Sequence, residues 1–178
     1  PKNNNPSFFS GLLAGSVGWG DACIIVPYEM YRRYGDARIL SENYEMMKKW
    51  YVFLEERAKK RPVNPVKRFK RNPYRRYTIE TGVDYGEWCE PDVESTSAMR
   101  TPQGKVATAF FAYSGRMLAE IAAILGKEDD AAYYSKTAEM AKKAWRFIAT
   151  EDGKISSDRQ ADYVRALAFG LLDGDEAR

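Results

Sequence analysis

The stretch from Lys105 to Leu125 constrains this chain more than any other. Ala107, Phe110, Phe111, Tyr113, Met117, Leu118, Ile121 and Ile124 recur at helical spacing, and Gly126 stops the run. A helix this apolar on most faces should be buried on more than one side. Thr101–Pro102 supplies its start, a hydroxyl cap followed by proline at the first helical position.

The flanking segments show what the neighbours are. From Asp21, a competent N-cap, Ile24, Ile25, Tyr28, Tyr31 and Tyr34 keep roughly helical spacing to Gly35, with Pro27 expected to kink the helix or delay its start. Asp36 caps the next helix, where Leu40, Tyr44, Met47, Tyr51, Leu54 and Ala58 form one stripe and Glu42, Glu45, Lys48, Lys49, Glu55 and Glu56 the opposite, solvated side. Glu128 to Ala149 is amphipathic again, through Tyr134, Ala138, Ala141, Trp145 and Ile148. After a turn at Asp152–Gly153, Ser157–Asp158–Arg159–Gln160 reads as a capping box for a last apolar helix, Ala161 to Leu172. Residues 1–6 form a polar lead-in, and Phe8–Ser16 a short apolar segment broken by Gly15 and Gly18.

Mostly buried helices thus alternate with half-apolar ones. An inner ring wrapped by an outer ring has that order, whereas an up-down bundle has similar stripes throughout. The expected fold is all-α, part of an α/α toroid. There is no self-similarity at the periods of helical solenoids.

At 178 residues and 44% hydrophobic, residues 1–178 fit within a single domain. The chain begins at Pro1 without a methionine and stops soon after an apolar segment, as a piece of a longer protein would. A net charge of +3 does not point to nucleic acid or membrane, and no run reaches the ~20 apolar residues of a membrane span. With no histidine there is neither a Cys/His zinc site nor a His-based triad, and neither a metal nor a cofactor is expected. Cys23 and Cys89 read as small hydrophobes. The basic stretch from Arg57 to Tyr77, interrupted by Pro62, Pro65 and Pro73 and free of acids, reads as an extended loop insertion spanning 57–81. Phe69, Tyr74 and Tyr77 interleave with its cations, which admits a nucleic-acid-binding reading. A solvated insertion, or a contact to another domain, fits better, because no nucleic-acid motif accompanies it.

Two stretches could carry chemistry. Gly18–Trp19–Gly20–Asp21–Ala22 sets an indole and a carboxylate at a helix start, and Tyr85–Gly86–Glu87–Trp88–Cys89–Glu90–Pro91–Asp92 sets an aromatic among acids in a Gly- and Pro-bounded loop. In a toroid the starts of the inner helices line the cleft, so the two loops are expected to share it. Indole faces stack on the C–H faces of sugars and carboxylates accept from hydroxyls, a pairing suited to a carbohydrate. The blander alternative makes both tryptophans core residues and Asp21 a helix cap. Glycosidase chemistry needs two carboxylates ~5–5.5 Å apart for retention or ~6.5–9.5 Å for inversion. Asp21, Asp84, Glu87, Glu90 and Asp92 are the candidates.

These residues resemble a known family. Gly18–Trp19–Gly20–Asp21–Ala22, the apolar run to Pro27, and Tyr34–Gly35–Asp36–Ala37–Arg38–Ile39–Leu40 look like the catalytic domain of bacterial α-L-rhamnosidases, glycoside hydrolase family 78. Tyr85–Gly86–Glu87–Trp88 resembles the family's Gly-Asp-Trp loop, and Ala107 to Ser114 its long inner helix, continued by Leu118 to Gly126 and by Ala166 to Leu172. The resemblance implies an (α/α)6 barrel, with roughly five helices of an incomplete ring in this chain. It also implies hydrolysis of terminal α-L-rhamnose with inversion, and sugar-gripping roles for Trp19, Asp21 and Trp88, with Glu87 where the family has Asp. The family's general-acid segment, Asp-x-x-x-x-Glu-Arg-x-Gly-Trp-x-x-Asp-like, and its base segment, Trp-Glu-x-Trp-like, have no counterpart here. No catalytic residue is therefore expected in this chain, which would be inactive alone. The apolar faces left open by a partial ring should promote self-association. An all-helical binding or scaffolding domain without chemistry is the alternative.

Overall fold

The computed structural model describes residues 15–60, 72–87 and 103–173. Among them are five helices, α1 (Ala22–Tyr34), α2 (Arg38–Lys59), α3 (Gly104–Ile124), α4 (Glu128–Ala149) and α5 (Gln160–Ala168). A 3-10 turn, Arg75–Tyr77, lies between α2 and α3, and a two-stranded hairpin, β1 (Thr150–Glu151) and β2 (Lys154–Ile155), between α4 and α5. Three-residue links, 35–37 and 125–127, join α1 to α2 and α3 to α4, as in antiparallel helical hairpins.

The most apolar helix is buried on more than one side. α3 packs most extensively on α4 and also meets α1 and α2. Twelve of its 21 residues are buried, spread around the helix from Val106 to Ala122. Its expected start at Thr101–Pro102 lies outside the described residues; the helix begins at Gly104, after Gln103. It ends where Gly126 (φ 69°) turns left-handed and Lys127 N–H reaches back to Ala122 O at 2.8 Å, a Schellman closure.

The half-apolar helices follow their stripes. Leu40, Tyr44, Met47, Tyr51, Leu54 and Ala58 are all buried on α2, and Tyr134, Ala138, Ala141, Trp145 and Ile148 on α4. Asp36 caps α2 from one position early, its carboxylate accepting the Arg38 backbone N–H at 2.9 Å and bonding the Arg38 guanidinium as well. In α1 the helix is continuous through Pro27, which is buried, as is Ile24.

Three expectations need correction. The helix α2 extends through Lys59, so Arg57, grouped by its neighbours with the basic loop 57–81, is a last-turn helical residue and is buried. Residues 61–71 of that loop lie outside the described residues. Second, the Ser157–Gln160 capping box does not form. Arg159 precedes α5 without a side-chain cap, and Ser157 Oγ instead accepts the Arg159 N–H at 3.2 Å. Third, α5 stops at Ala168 and not at Leu172. Gly170 (φ 63°) reverses the chain so that Leu171 N–H bonds Ala166 O at 2.9 Å, and the Leu171 side chain is buried.

The two end helices leave apolar side chains uncovered. Val26, Met30 and Tyr34 on α1, and Tyr163, Val164 and Leu167 on α5, are exposed. The predicted turn at Asp152–Gly153 is present, both residues having positive φ (49° and 77°), as in the type I′ turns common in two-residue hairpins.

Candidate functional site

The loop ahead of α1 is a tight coil. Gly20 N–H bonds Ser16 O at 3.0 Å, and Ile24 and Ile25 N–H both bond Asp21 O at 2.9 Å, so that the turn runs directly into the helix. Asp21 stands at the N-cap position, yet its carboxylate does not cap. Oδ2 accepts Gly18 N–H at 2.7 Å, while Oδ1 accepts Trp50 Nε1–H at 3.1 Å and Ser114 Oγ–H at 2.5 Å. The side chain has no exposed surface. Burial raises its pKa above the ordinary carboxylate value, against the opposing pull of the bonds from Ser114, Trp50 and Gly18. Asp21 therefore gathers α1, α2 and α3 beneath the loop.

Gly20 fits this arrangement because nothing larger would. A Cβ there would lie 2.0 Å from the Trp50 ring, whose indole N–H is the one bonded to Asp21. Above this floor Trp19 is 67% exposed, and it leans on the Tyr85 ring with centroids 4.8 Å apart and planes inclined by 33°. The indole is a surface group and not a core one.

The second loop, 81–87, lies against the first. Val17 N–H donates to Asp84 Oδ1 at 2.7 Å, and Tyr85 N–H donates to Ser16 Oγ at 3.1 Å. Asp84 is itself paired with Arg57 at 2.9 Å, both being almost fully buried. Glu87 pairs with Arg165 on α5, which also holds Asp162 at 2.8 Å. Burial lowers the Arg165 pKa. Of the described carboxylates singled out in the sequence, Asp21 and Asp84 are buried and engaged, and Glu87 is the one that reaches the surface. Trp88, Glu90 and Asp92 lie outside the described residues.

Burial, and then the charge of Asp21, push the Cys23 thiol up to about 12, which leaves it inert. Among the described residues, no three His, Cys, Asp or Glu side chains come together as a metal site. No helix among them is long and apolar enough to cross a membrane. A groove of about 440 Å³ opens along α3 and α4, lined in part by Ala112, Arg116, Glu139, Lys142 and Phe169, and shares no lining residue with the two loops.

Sequence reasoning missed Trp50, Ser114, Arg57 and Arg165 as parts of this assembly, and placed Tyr85 in the second loop without giving its ring a role. Ser114 carried a usable signal, since a hydroxyl within so apolar a helix needs a partner. Trp50 sits one residue from the α2 stripe and gave none.

The loops and the helices beneath them have relatives. The family model for the bacterial alpha-L-rhamnosidase 6 hairpin glycosidase domain matches residues 3–178. An alpha-L-rhamnosidase of Formosa agariphila is 33% identical over 160 residues, covering 88% of this chain and 15% of that protein. The crystal structure of Streptomyces avermitilis alpha-L-rhamnosidase complexed with L-rhamnose superposes with a TM-score of 0.69 at 29% identity, covering 92% of this chain and 14% of that one. The alpha-L-rhamnosidase structure from Dictyoglumus thermophilum gives 0.66 at 26% identity, over 89% and 16%. The chain spans 14–16% of the length of these proteins. Its helices are part of an α/α toroid, the architecture of that six-hairpin domain. The chain belongs to the family of bacterial alpha-L-rhamnosidase six-hairpin glycosidase domains.

Proposed function

We propose that the intact protein carrying this chain is an inverting glycoside hydrolase that removes terminal α-L-rhamnose from glycans or glycosides, and that this chain forms one wall of the rhamnose subsite. The observation that carries the reading is Trp19, a large aromatic left 67% exposed while its loop is bonded from below. An indole held this way offers a flat apolar face to the C–H side of a sugar. Glu87 supplies a hydroxyl acceptor from the neighbouring loop, and Trp88, next in sequence, a second aromatic. Asp21, having no exposed surface, acts from beneath by fixing the Trp19 turn. Trp19→Ala or Trp88→Ala in the intact protein should weaken L-rhamnose binding by ~1–3 kcal/mol, on the scale of aromatic stacking against bases. Unchanged affinity would remove that tryptophan from the subsite.

The chain alone does not catalyse, because the family's acid-bearing and base-bearing patterns do not occur in its sequence. Release of nitrophenol from an aryl α-L-rhamnoside by these 178 residues would overturn this reading. With the intact protein, proton NMR of early product should show β-L-rhamnose first; α-L-rhamnose first would exclude inversion.

Self-association belongs to the same proposal. The exposed apolar residues of α1 and α5 favour pairing of copies of the isolated chain. Sedimentation at high concentration tests it, and a clean monomer would count against it.

A further inference from the structure

We infer that Arg57 and Asp84 are positioning residues for Trp19, acting through the Tyr85 ring that backs the indole. Arg57 projects from the last turn of α2 and is 5% exposed; Asp84, on the second loop, is 4% exposed. Two parallel bonds join them, Nη1 to Oδ1 at 3.0 Å and Nη2 to Oδ2 at 2.9 Å. Each partner also holds a loop. The guanidinium donates to Gly15 O at 3.3 Å on the first loop and to Thr81 O on the second, while Asp84 Oδ1 takes Val17 N–H at 2.7 Å. Gly82 leaves the space, since a Cβ there would lie 2.4 Å from Arg57 Nη2.

Tyr85 follows Asp84 directly. Its N–H is fixed on Ser16 Oγ at 3.1 Å and its ring lies 4.8 Å from the Trp19 ring. The position of the indole thus traces back to a charge pair rooted on α2. A buried ion pair adds little net stability over an apolar pair of the same volume, whereas a forked guanidinium fixes direction as no lysine does. What the pair supplies is geometry.

The positional part of this inference stands alone; its effect on binding rests on the rhamnose reading. The test uses this chain labelled with 5-fluorotryptophan and read by fluorine NMR, the Trp19 line being assigned with Trp19→Phe. In Arg57→Lys, Asp84→Asn and Tyr85→Ala the Trp19 line should move in one direction, while the line of Trp145, buried on α4, stays in place. Adding Arg57→Lys to Tyr85→Ala should produce no further Trp19 shift. In the intact protein, L-rhamnose should bind about tenfold more weakly in each single variant, with no further loss in the double. An unmoved Trp19 line in Arg57→Lys and Asp84→Asn, or additive shifts in the double variant, overturns the inference. So does a Trp145 line that moves with Trp19 in both, which makes the pair a general stability element. Intact wild-type protein that does not bind L-rhamnose defeats the sugar reading, and the shifts then still decide the coupling.

Discussion

Replacing Tyr51 by phenylalanine should make this protein more stable. The side chain is fully buried between Phe111, with ring centroids 5.2 Å apart, and Tyr134 at 5.3 Å. Its hydroxyl has no hydrogen-bond partner among the described residues, and desolvation first of all pushes its pKa well above that of an ordinary phenol. Mutational data put the cost of an uncompensated buried hydroxyl at ~1–3 kcal/mol. Against its removal stands the void of one oxygen atom, a few tenths of a kcal/mol at ~24 cal/mol per Å³. The net gain is therefore about 1–2 kcal/mol, or roughly 2–8 °C in Tm for a chain of this length.

The neighbouring helix sharpens the test. A Cβ at Gly115 would lie 2.2 Å from the Tyr51 hydroxyl and 2.8 Å from its ring carbon. By helix propensity alone Gly115→Ala should stabilise α3 by about 1 kcal/mol; the contact reverses the sign, because overpacking costs ~1–3 kcal/mol or more. In the Tyr51→Phe background the closest atom is gone, so the same Gly115→Ala should cost about 1 kcal/mol less. Urea unfolding followed by circular dichroism measures all four corners of the cycle. Equal or lower stability of Tyr51→Phe would mean that the hydroxyl is bonded, and additive effects that the two residues do not touch.

Asp21 gives a pH prediction with a definite sign. Its folded pKa is raised above 3.8, so the native chain binds more protons than the unfolded one from that pH up to the folded value, and its contribution to stability falls as pH rises through the window. The stability of wild type relative to Asp21→Asn, read from urea midpoints, should decline upward from 3.8; a flat difference would mean no shift. Arg57→Met should lose ~3–5 kcal/mol by leaving Asp84 buried without its cation, and a loss below ~1 kcal/mol would mean that water reaches the carboxylate. Gly20→Ala should displace the Trp50 ring and break its bond to Asp21, which the indole N–H resonance in proton NMR would report by leaving its bonded position. An unmoved resonance would contradict the tight fit.

How much of this was legible in the sequence depends on where each residue's partners lie. The stripes of α2 and α4 were read correctly because a helix face answers to periodicity alone, and the elements that bury those faces belong to this same chain. α1 and α5 have the same apolar character, yet Val26, Met30, Val164 and Leu167 stay exposed, because periodicity tells which face seeks cover and not whether cover is at hand. The early end of α5 had a local signal in Gly170 that the run of apolar residues outweighed.

The site was harder to read for a related reason. Asp21 looks like a cap, and at its position a cap was the economical reading; what takes its carboxylate instead is an indole 29 residues away and a hydroxyl 93 residues away. Arg57 was misplaced by its company, since a cation at the head of a basic run looks solvated until Asp84 is known to lie against it. In both cases a charged side chain is buried because several distant donors or acceptors converge on it, and no window of sequence contains that convergence. Trp19 could be marked as a sugar-facing candidate from its neighbours alone, whereas its orientation could not, because that is held by Tyr85, Asp84 and Arg57 in series. Residues that meet a ligand can leave a local trace in composition, while those that aim them are recognisable only once the chain has folded.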